Sequence, residues 1–179
     1  MSRILLALAV LGIAGCNAPA ATETAAPKPA ALASEPDLLA RGEYLVRIAG
    51  CNDCHTPAYG ERGGEVPKEE WLVGSPLGFN GPWGTTYAAN LRMKTAEMDE
   101  AGWLEYTATL HTRPIMPDFA VRAMHEDDRR ALYRFIRSLG PGGEKAPEYL
   151  PPGQTPPLPY MQLVLPPPPA GAAAGNAPG

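Results

Sequence analysis

The sequence Cys51-Asn52-Asp53-Cys54-His55 constrains the fold more than any other stretch of this chain. Both thiols lie on one turn of backbone because the two cysteines are three residues apart, and a histidine follows directly. The pattern C-x-x-C-H is typical of covalent haem attachment, in which the thiols bond to the haem vinyl groups and the imidazole meets the iron. We therefore predict one haem c, bound covalently through Cys51 and Cys54, with His55 as an axial ligand.

Three other uses of such a cysteine pair are possible: a thioredoxin-like redox pair, half of a zinc site, or a structural disulfide. A redox pair should follow a strand in a βαβ pattern, whereas this motif follows a helical segment. Zinc would need two more ligands, and His111 and His125 are too far apart in sequence for the usual close pair. The redox and zinc alternatives also leave the histidine after the second cysteine without a role.

Helical periodicity flanks the motif on both sides. A helix is predicted over about Asp37 to Ala49, with Pro36 near its start and Gly50 just beyond its end. Gly42 inside this helix costs about 1 kcal/mol against alanine, unless another backbone comes close. We therefore expect a second helix to cross the first at Gly42.

The clearest helix is predicted over His125 to Leu139, with acidic residues in its first turn and Gly140-Pro141 after its end. A shorter helix is predicted over Met98 to Leu110. The segment from Thr56 to Arg92 is rich in glycine and proline and is predicted to be a long loop. This pattern indicates an all-α domain of three or more helices, with long loops around the cofactor.

The chain ends carry different signals. Arg3 and an apolar run from Ile4 to Ala14 are typical of a secretory signal, predicted over residues 1–15, and the run is too short to span a bilayer. The sequence ending in Gly15-Cys16 resembles a bacterial lipoprotein signal, which implies lipid attachment to Cys16 after cleavage. Ordinary secretion with an incidental Cys16 is the alternative. With lipid on Cys16 and thioethers on the other two cysteines, no thiol is left over.

Composition sets the remaining boundaries. Residues 16–34 are largely Ala, Pro and Thr and are predicted to be a flexible linker. Of the 22 prolines, 12 lie in residues 141–179, which predicts a haem domain over 35–140 and a Pro-rich extended tail. Within that tail, Leu158 to Leu165 is an apolar segment that we expect to lie against the domain. A disordered tail, or a strand offered to a partner protein, are the alternatives.

Several motifs together resemble the monohaem cytochrome c family over roughly residues 35–140. These are Arg41-Gly42-Glu43-Tyr44-Leu45 running into the haem motif, and a late Met116-Pro117 followed by a terminal helix. Gly84-Thr85-Thr86-Tyr87-Ala88-Ala89-Asn90 and Asp127-Asp128 are similar to haem subunits of bacterial periplasmic dehydrogenases. The resemblance implies a cytochrome c-like fold.

The sixth ligand of the iron is predicted from the loop Pro114-Ile115-Met116-Pro117, which prolines keep stiff and non-helical. Met116 is our choice, and the resemblance points to the same residue. Met124 is the next candidate if Met116 only fills the core. Met93, Met98, His111 and His125 are expected to be packing or solvated residues. The resemblance also suggests that Trp83, Tyr87 and Asn90 bury the haem or bind a propionate.

These observations predict a one-electron carrier and not an enzyme, because the cofactor supplies the redox couple and no substrate chemistry is visible. It would relay electrons between a periplasmic donor enzyme and a respiratory acceptor, lipid-anchored to a bacterial membrane. The alternatives are a haem subunit of one dehydrogenase, or a catalytic or sensing haem protein with an open sixth position. The net charge of -4 argues against a nucleic-acid partner.

Overall fold

The computed structural model describes residues 34–166. The predicted signal peptide, Cys16, nearly all of the predicted linker and the last residues of the tail lie outside this range. The described helices are α1 (Glu35–Ile48), α2 (Cys51–His55), α3 (Leu91–Ala96), α4 (Glu100–Ala108), α5 (Asp118–Arg122) and α6 (Glu126–Ser138). A 3-10 turn covers Lys68–Glu70, and the strands are β1 (Gly78–Gly81), β2 (Gly84–Tyr87) and β3 (Tyr160–Gln162).

The three predicted helices are confirmed as α1, α4 and α6, each within two residues of its expected bounds. Ser34 caps α1, because its hydroxyl oxygen accepts the backbone N–H of Asp37 while the Asp37 carboxylate accepts the Ser34 N–H. The helices α2, α3 and α5 have five or six residues each. Such short segments do not complete a second helical turn, so no periodicity revealed them.

The crossing of α1 and α6 at Gly42 is confirmed. A Cβ on Gly42 would lie 2.2 Å from the Ala131 carbonyl oxygen and 2.5 Å from Phe135 Cβ. The absence of a side chain therefore lets the two helix backbones touch. Around this contact lies a core of Leu45, Val46, Val66, Trp71, Leu72, Trp103, Ala131, Leu132, Phe135 and Ile136.

Carboxylates pair with two of the arginines on the outer face of α6. Arg130 pairs with Glu126, Asp127 and Glu100, and Arg134 also pairs with Glu100. Since Glu100 begins α4, these ion pairs tie α4 to α6 beside the core. Arg130 and Arg134 are thereby paired within the domain.

The expectation of an all-α fold is wrong in one respect, because the helix-rich domain also holds a small sheet in the order β2-β1-β3. β1 and β2 form an antiparallel hairpin in which Gly81 pairs with Gly84. β3 pairs in parallel with β1, so this part of the apolar tail segment lies against the domain as expected. Strands of three or four residues carry too little alternation to be recognised, and β3 is far from β1 in sequence.

Within residues 34–166, no helix combines the length and the apolar character that a bilayer crossing requires.

Candidate functional site

Gly50 connects α1 to α2, and α2 consists of the haem motif Cys51–His55. Gly50 adopts a left-handed conformation with φ of 70°, which is unfavourable for a residue with a side chain. A Cβ there would also lie 2.9 Å from an Asp53 carboxylate oxygen. The chain therefore turns from α1 directly into α2, whose single turn carries Cys51, Cys54 and His55.

These three residues line one cavity of about 520 Å³, which is large enough for a sizeable cofactor. Met116 also lines this cavity, although it is 61 residues from His55 in sequence. The structure thus brings together all four residues predicted to hold haem. The other apolar or aromatic lining residues include Phe79, Tyr87, Leu91, Met93, Trp103, Tyr106, Leu110, Ile115, Val121, Met124, Leu132 and Ile136.

His55 is held in one orientation by a backbone carbonyl. Its Nδ1 lies 2.7 Å from the Ala89 carbonyl oxygen, so Nδ1 donates the proton and Nε2 keeps its lone pair. A histidine that binds a metal through one ring nitrogen usually donates the proton of the other nitrogen to such an oxygen. The side chain is only 8% exposed, and burial lowers the pKa of His55 and favours the neutral imidazole that binds a metal.

The carbonyl of Ala89 is itself fixed by its surroundings. The backbone N–H of Ser75 donates to the Ala88 carbonyl at 3.0 Å, and that of Leu91 donates to the Leu72 carbonyl at 2.9 Å. The N–H of Gly74 donates to the His55 carbonyl at 2.9 Å. The segment that holds the imidazole is therefore anchored on both sides of Ala89.

The two cysteines are free thiols and not a disulfide. Burial, with smaller contributions from Asp53 and Cys54, raises the pKa of Cys51 to about 11. Burial, followed by Asp53, also raises the pKa of Cys54. A thioredoxin-like pair needs a lowered thiol pKa. The electrostatics therefore argue against a redox dithiol, while both thiols remain accessible to a group in the cavity.

Only some of the candidates for the sixth ligand line the cavity. Met116 lies on the non-helical loop between α4 and α5, and Met124 follows α5; both line the cavity, as does Met93. Met98, His111 and His125 are not among the lining residues. The structure therefore leaves the three methionines of the cavity wall as possible ligands.

The three residues suggested for haem packing or propionate contact differ in their surroundings. Tyr87 lines the cavity, and its buried hydroxyl has no hydrogen-bond partner. Asn90 also lines the cavity, but its side chain already accepts from the Met93 N–H and donates to two carbonyls, those of Gly142 and Glu144. Trp83 is not a lining residue, and its expected haem contact stays a prediction.

One wall of the cavity was not expected from the sequence. The cavity lining also includes Lys145, Ala146, Pro147 and Glu148, from the segment assigned to the tail. Tyr149 anchors them, because its hydroxyl donates to the Trp83 carbonyl at 2.9 Å.

The Arg113 guanidinium also stacks on the Tyr149 ring, 3.7 Å from its centroid. Arg113 and Lys94 are further lining residues that the sequence did not single out, and Lys94 pairs with Glu97, which also lines the cavity. Apolar spacing and proline content carried no signal for any of these contacts.

The residues present fit a haem group. Two thiols and an imidazole with a free Nε2 face a cavity that also contains thioethers, and Tyr87 offers an unpaired hydroxyl to a carboxylate. Among the described residues, no group of three or more His, Cys, Asp or Glu is arranged to hold a metal ion by itself.

Two curated relatives share similarity with this chain. Both are cytochrome c subunits of a quinone alcohol dehydrogenase, from Gluconacetobacter polyoxogenes and Komagataeibacter europaeus, and both are 30% identical to this chain. The similarity covers 59% of this chain and 24% of each relative, so the chain spans about a quarter of their length. No family model matches the sequence. No solved structure matches it either. The similarity to these subunits agrees with the haem site and supports a distant relationship to cytochromes c.

Proposed function

We propose that this protein is a one-electron carrier with a single haem c attached through Cys51 and Cys54. His55 and Met116 are the proposed axial ligands of the iron. The observation that supports the proposal is that all four residues line one cavity, although Met116 comes from a distant loop. A bound haem supplies a one-electron couple, which the protein tunes through ligands, burial and hydrogen bonds.

Each of these residues has a defined task. The Ala89 carbonyl holds the imidazole of His55 by its Nδ1 proton, which makes Nε2 a better electron donor. Thioether ligation by Met116 would raise the potential and close the sixth position to small molecules. Burial raises the pKa of both thiols and so favours their protonated form at neutral pH.

Covalent attachment is the first step to test. The full chain, produced in a host that attaches haem, should keep its colour on the denatured polypeptide after extraction with acidified acetone. Replacing Cys51 and Cys54 together by alanine should release or abolish the colour. Cys16→Ala is the matched control, because Cys16 is the remaining cysteine and has no proposed role in haem binding. Release of the pigment from the unaltered chain would rule out the proposal.

The ligand assignment has its own test. Met116→Ala should lower the midpoint potential and allow carbon monoxide to bind the reduced iron readily, because the sixth position is then open. Met124→Ala is the control, because Met124 also lines the cavity, and this variant should leave ligation intact. If the Met124 variant loses the sixth ligand and the Met116 variant does not, the assignment moves to Met124. Carbon monoxide binding by the unaltered protein would instead favour a sensing or catalytic haem protein.

A second function is favoured by the two relatives, whose names place them in a dehydrogenase. This chain would then be the haem subunit of one such enzyme, receiving electrons directly from its catalytic partner. The native protein should copurify with a dehydrogenase under mild conditions, and its haem should become reduced when that enzyme's substrate is added. A free monomer that is reduced equally well by unrelated donors would support a general carrier.

Export and lipid anchoring through Cys16 complete the proposal, and they rest on the sequence of the first 16 residues. Mass spectrometry of the mature protein should show a chain that begins at a diacylated or triacylated Cys16. A mature chain that retains residues before Cys16, or an unmodified thiol there, would contradict the anchor without affecting the haem assignment.

A further inference from the structure

The loop that carries Met116 is closed at its base by one carboxylate, that of Asp118. Its Oδ2 accepts the backbone N–H of Thr112 at 2.6 Å, and its Oδ1 lies 2.8 Å from the Arg122 guanidinium. The side chain of Asp118 is 13% exposed and that of Arg122 is 28% exposed. Asp118 therefore joins the first residues of the loop to helix α5.

Further hydrogen bonds connect the residues around Met116. The Met116 carbonyl accepts the backbone N–H of Asp118 at 2.9 Å and lies 3.4 Å from the Thr112 hydroxyl. Arg122 also donates to the carbonyl of Leu110, where the chain leaves α4. Asp118 and Arg122 thus bridge the two ends of the loop, with Met116 between them.

Little apolar packing holds this loop in place. All residues from His111 to Ile115 are exposed, and Ile115 has 39% of its surface in water. Pro117 is exposed as well, while Met116 is half-buried. Since few protein side chains pack on this loop, its polar closure contributes to the position of Met116.

We propose that Asp118 is a positioning residue that keeps Met116 directed into the cavity by closing this loop. The inference rests on the proposed function, in which Met116 is the sixth ligand. Without the closure, the loop spends more time open and Met116 leaves the iron more often. A competing ligand then binds with an apparent affinity that rises in proportion to the open fraction.

The test is a titration of the oxidised holoprotein with imidazole, which must displace the sixth ligand to bind. Asp118→Ala should bind imidazole about tenfold more tightly than the unaltered protein, because hydrogen bonds to a charged group are lost. Asp118→Asn keeps one acceptor oxygen and should fall between the two. Asp127→Ala is the matched control, since it removes an exposed carboxylate that also pairs with an arginine but lies away from the loop.

Two further variants distinguish an error in the ligand assignment from an error in the positioning role. Met116→Ala should bind imidazole most tightly of all, and if it binds like the unaltered protein, the ligand assignment itself is wrong. If Met116→Ala shows the increase while Asp118→Ala matches Asp127→Ala, the positioning role is wrong and the ligand assignment stands. Should Asp118→Ala not accumulate as holoprotein, Arg122→Gln breaks the same closure from the other side and must show the increase for the inference to hold.

Discussion

Replacing Gly42 by alanine should destabilise the protein, although alanine is the better helix former. The new methyl group would lie 2.2 Å from the Ala131 carbonyl oxygen and 2.5 Å from Phe135 Cβ. Nonbonded heavy atoms rest at about 3.5–4.0 Å, so α1 and α6 would have to move apart by roughly 1 Å. A gap of this size forfeits on the order of a quarter to a half of the dispersion energy of each contact across the crossing.

The net effect follows from two opposed contributions. Overpacking a close-packed core costs about 1–3 kcal/mol, and a rigid backbone oxygen at the contact places this site at the upper end. Alanine is more favourable than glycine in a helix, and this offsets the cost by about 1 kcal/mol. We therefore expect Gly42→Ala to lower the free energy of unfolding of the holoprotein by about 2 kcal/mol.

Guanidinium unfolding followed by far-UV circular dichroism measures this difference, with an unchanged slope as evidence that the two-state transition is retained. Gly102→Ala is the control within a helix, because its Cβ would meet side-chain atoms of Asp99 and Met98 at 3.2 Å and 3.3 Å. That variant should change the unfolding free energy by less than about 1 kcal/mol. An unfolding midpoint for Gly42→Ala equal to that of the unaltered protein would refute the packing argument.

Three further outcomes can be measured in the same way with urea as the denaturant, because guanidinium chloride is a salt and screens ion pairs. Arg92→Lys should cost about 2–3 kcal/mol, because one ammonium cannot replace a buried guanidinium that donates to four backbone carbonyls. Tyr149→Phe should cost about 1 kcal/mol, since it removes the hydrogen bond to the Trp83 carbonyl and keeps the ring. Lys68 and Arg47 lower the pKa of Glu43. The ionised Glu43 carboxylate therefore stabilises the fold above the pKa that Glu43 has in the unfolded chain. This stabilisation is lost as the pH falls through the pKa of Glu43 in the folded protein. Glu43→Gln should therefore cost at most about 1 kcal/mol at pH 7 and almost nothing in acid.

The sequence predicted the parts of the fold that local chemistry dictates. Helical spacing of apolar residues located α1, α4 and α6, and the unfavourable Gly42 indicated where two of them cross. The haem motif placed both thiols and His55 on one turn. In each case the signal lies within one segment, so it could be recognised without knowing what the segment packs against.

Contacts made through the backbone could not be predicted in this way. The carbonyl of Ala89 orients His55, and the carbonyls of Leu110 and Met116 take part in closing the loop. Every residue has a carbonyl, so no side-chain pattern marks the few that matter. The small sheet was not predicted for a related reason. β1 and β3 pair through backbone hydrogen bonds although they are far apart in sequence.

The segment after Gly140 shows how composition can mislead about function. Its prolines exclude regular helix, which is correct, but an extended chain can still be fixed by its neighbours. Asn90 donates to the carbonyls of Gly142 and Glu144, and the backbone of Leu150 exchanges two hydrogen bonds with Thr85. The residues between these anchors form one wall of the cavity. Because solvent exposure is one of the factors that set a haem potential, this segment would help to set the potential of the proposed haem.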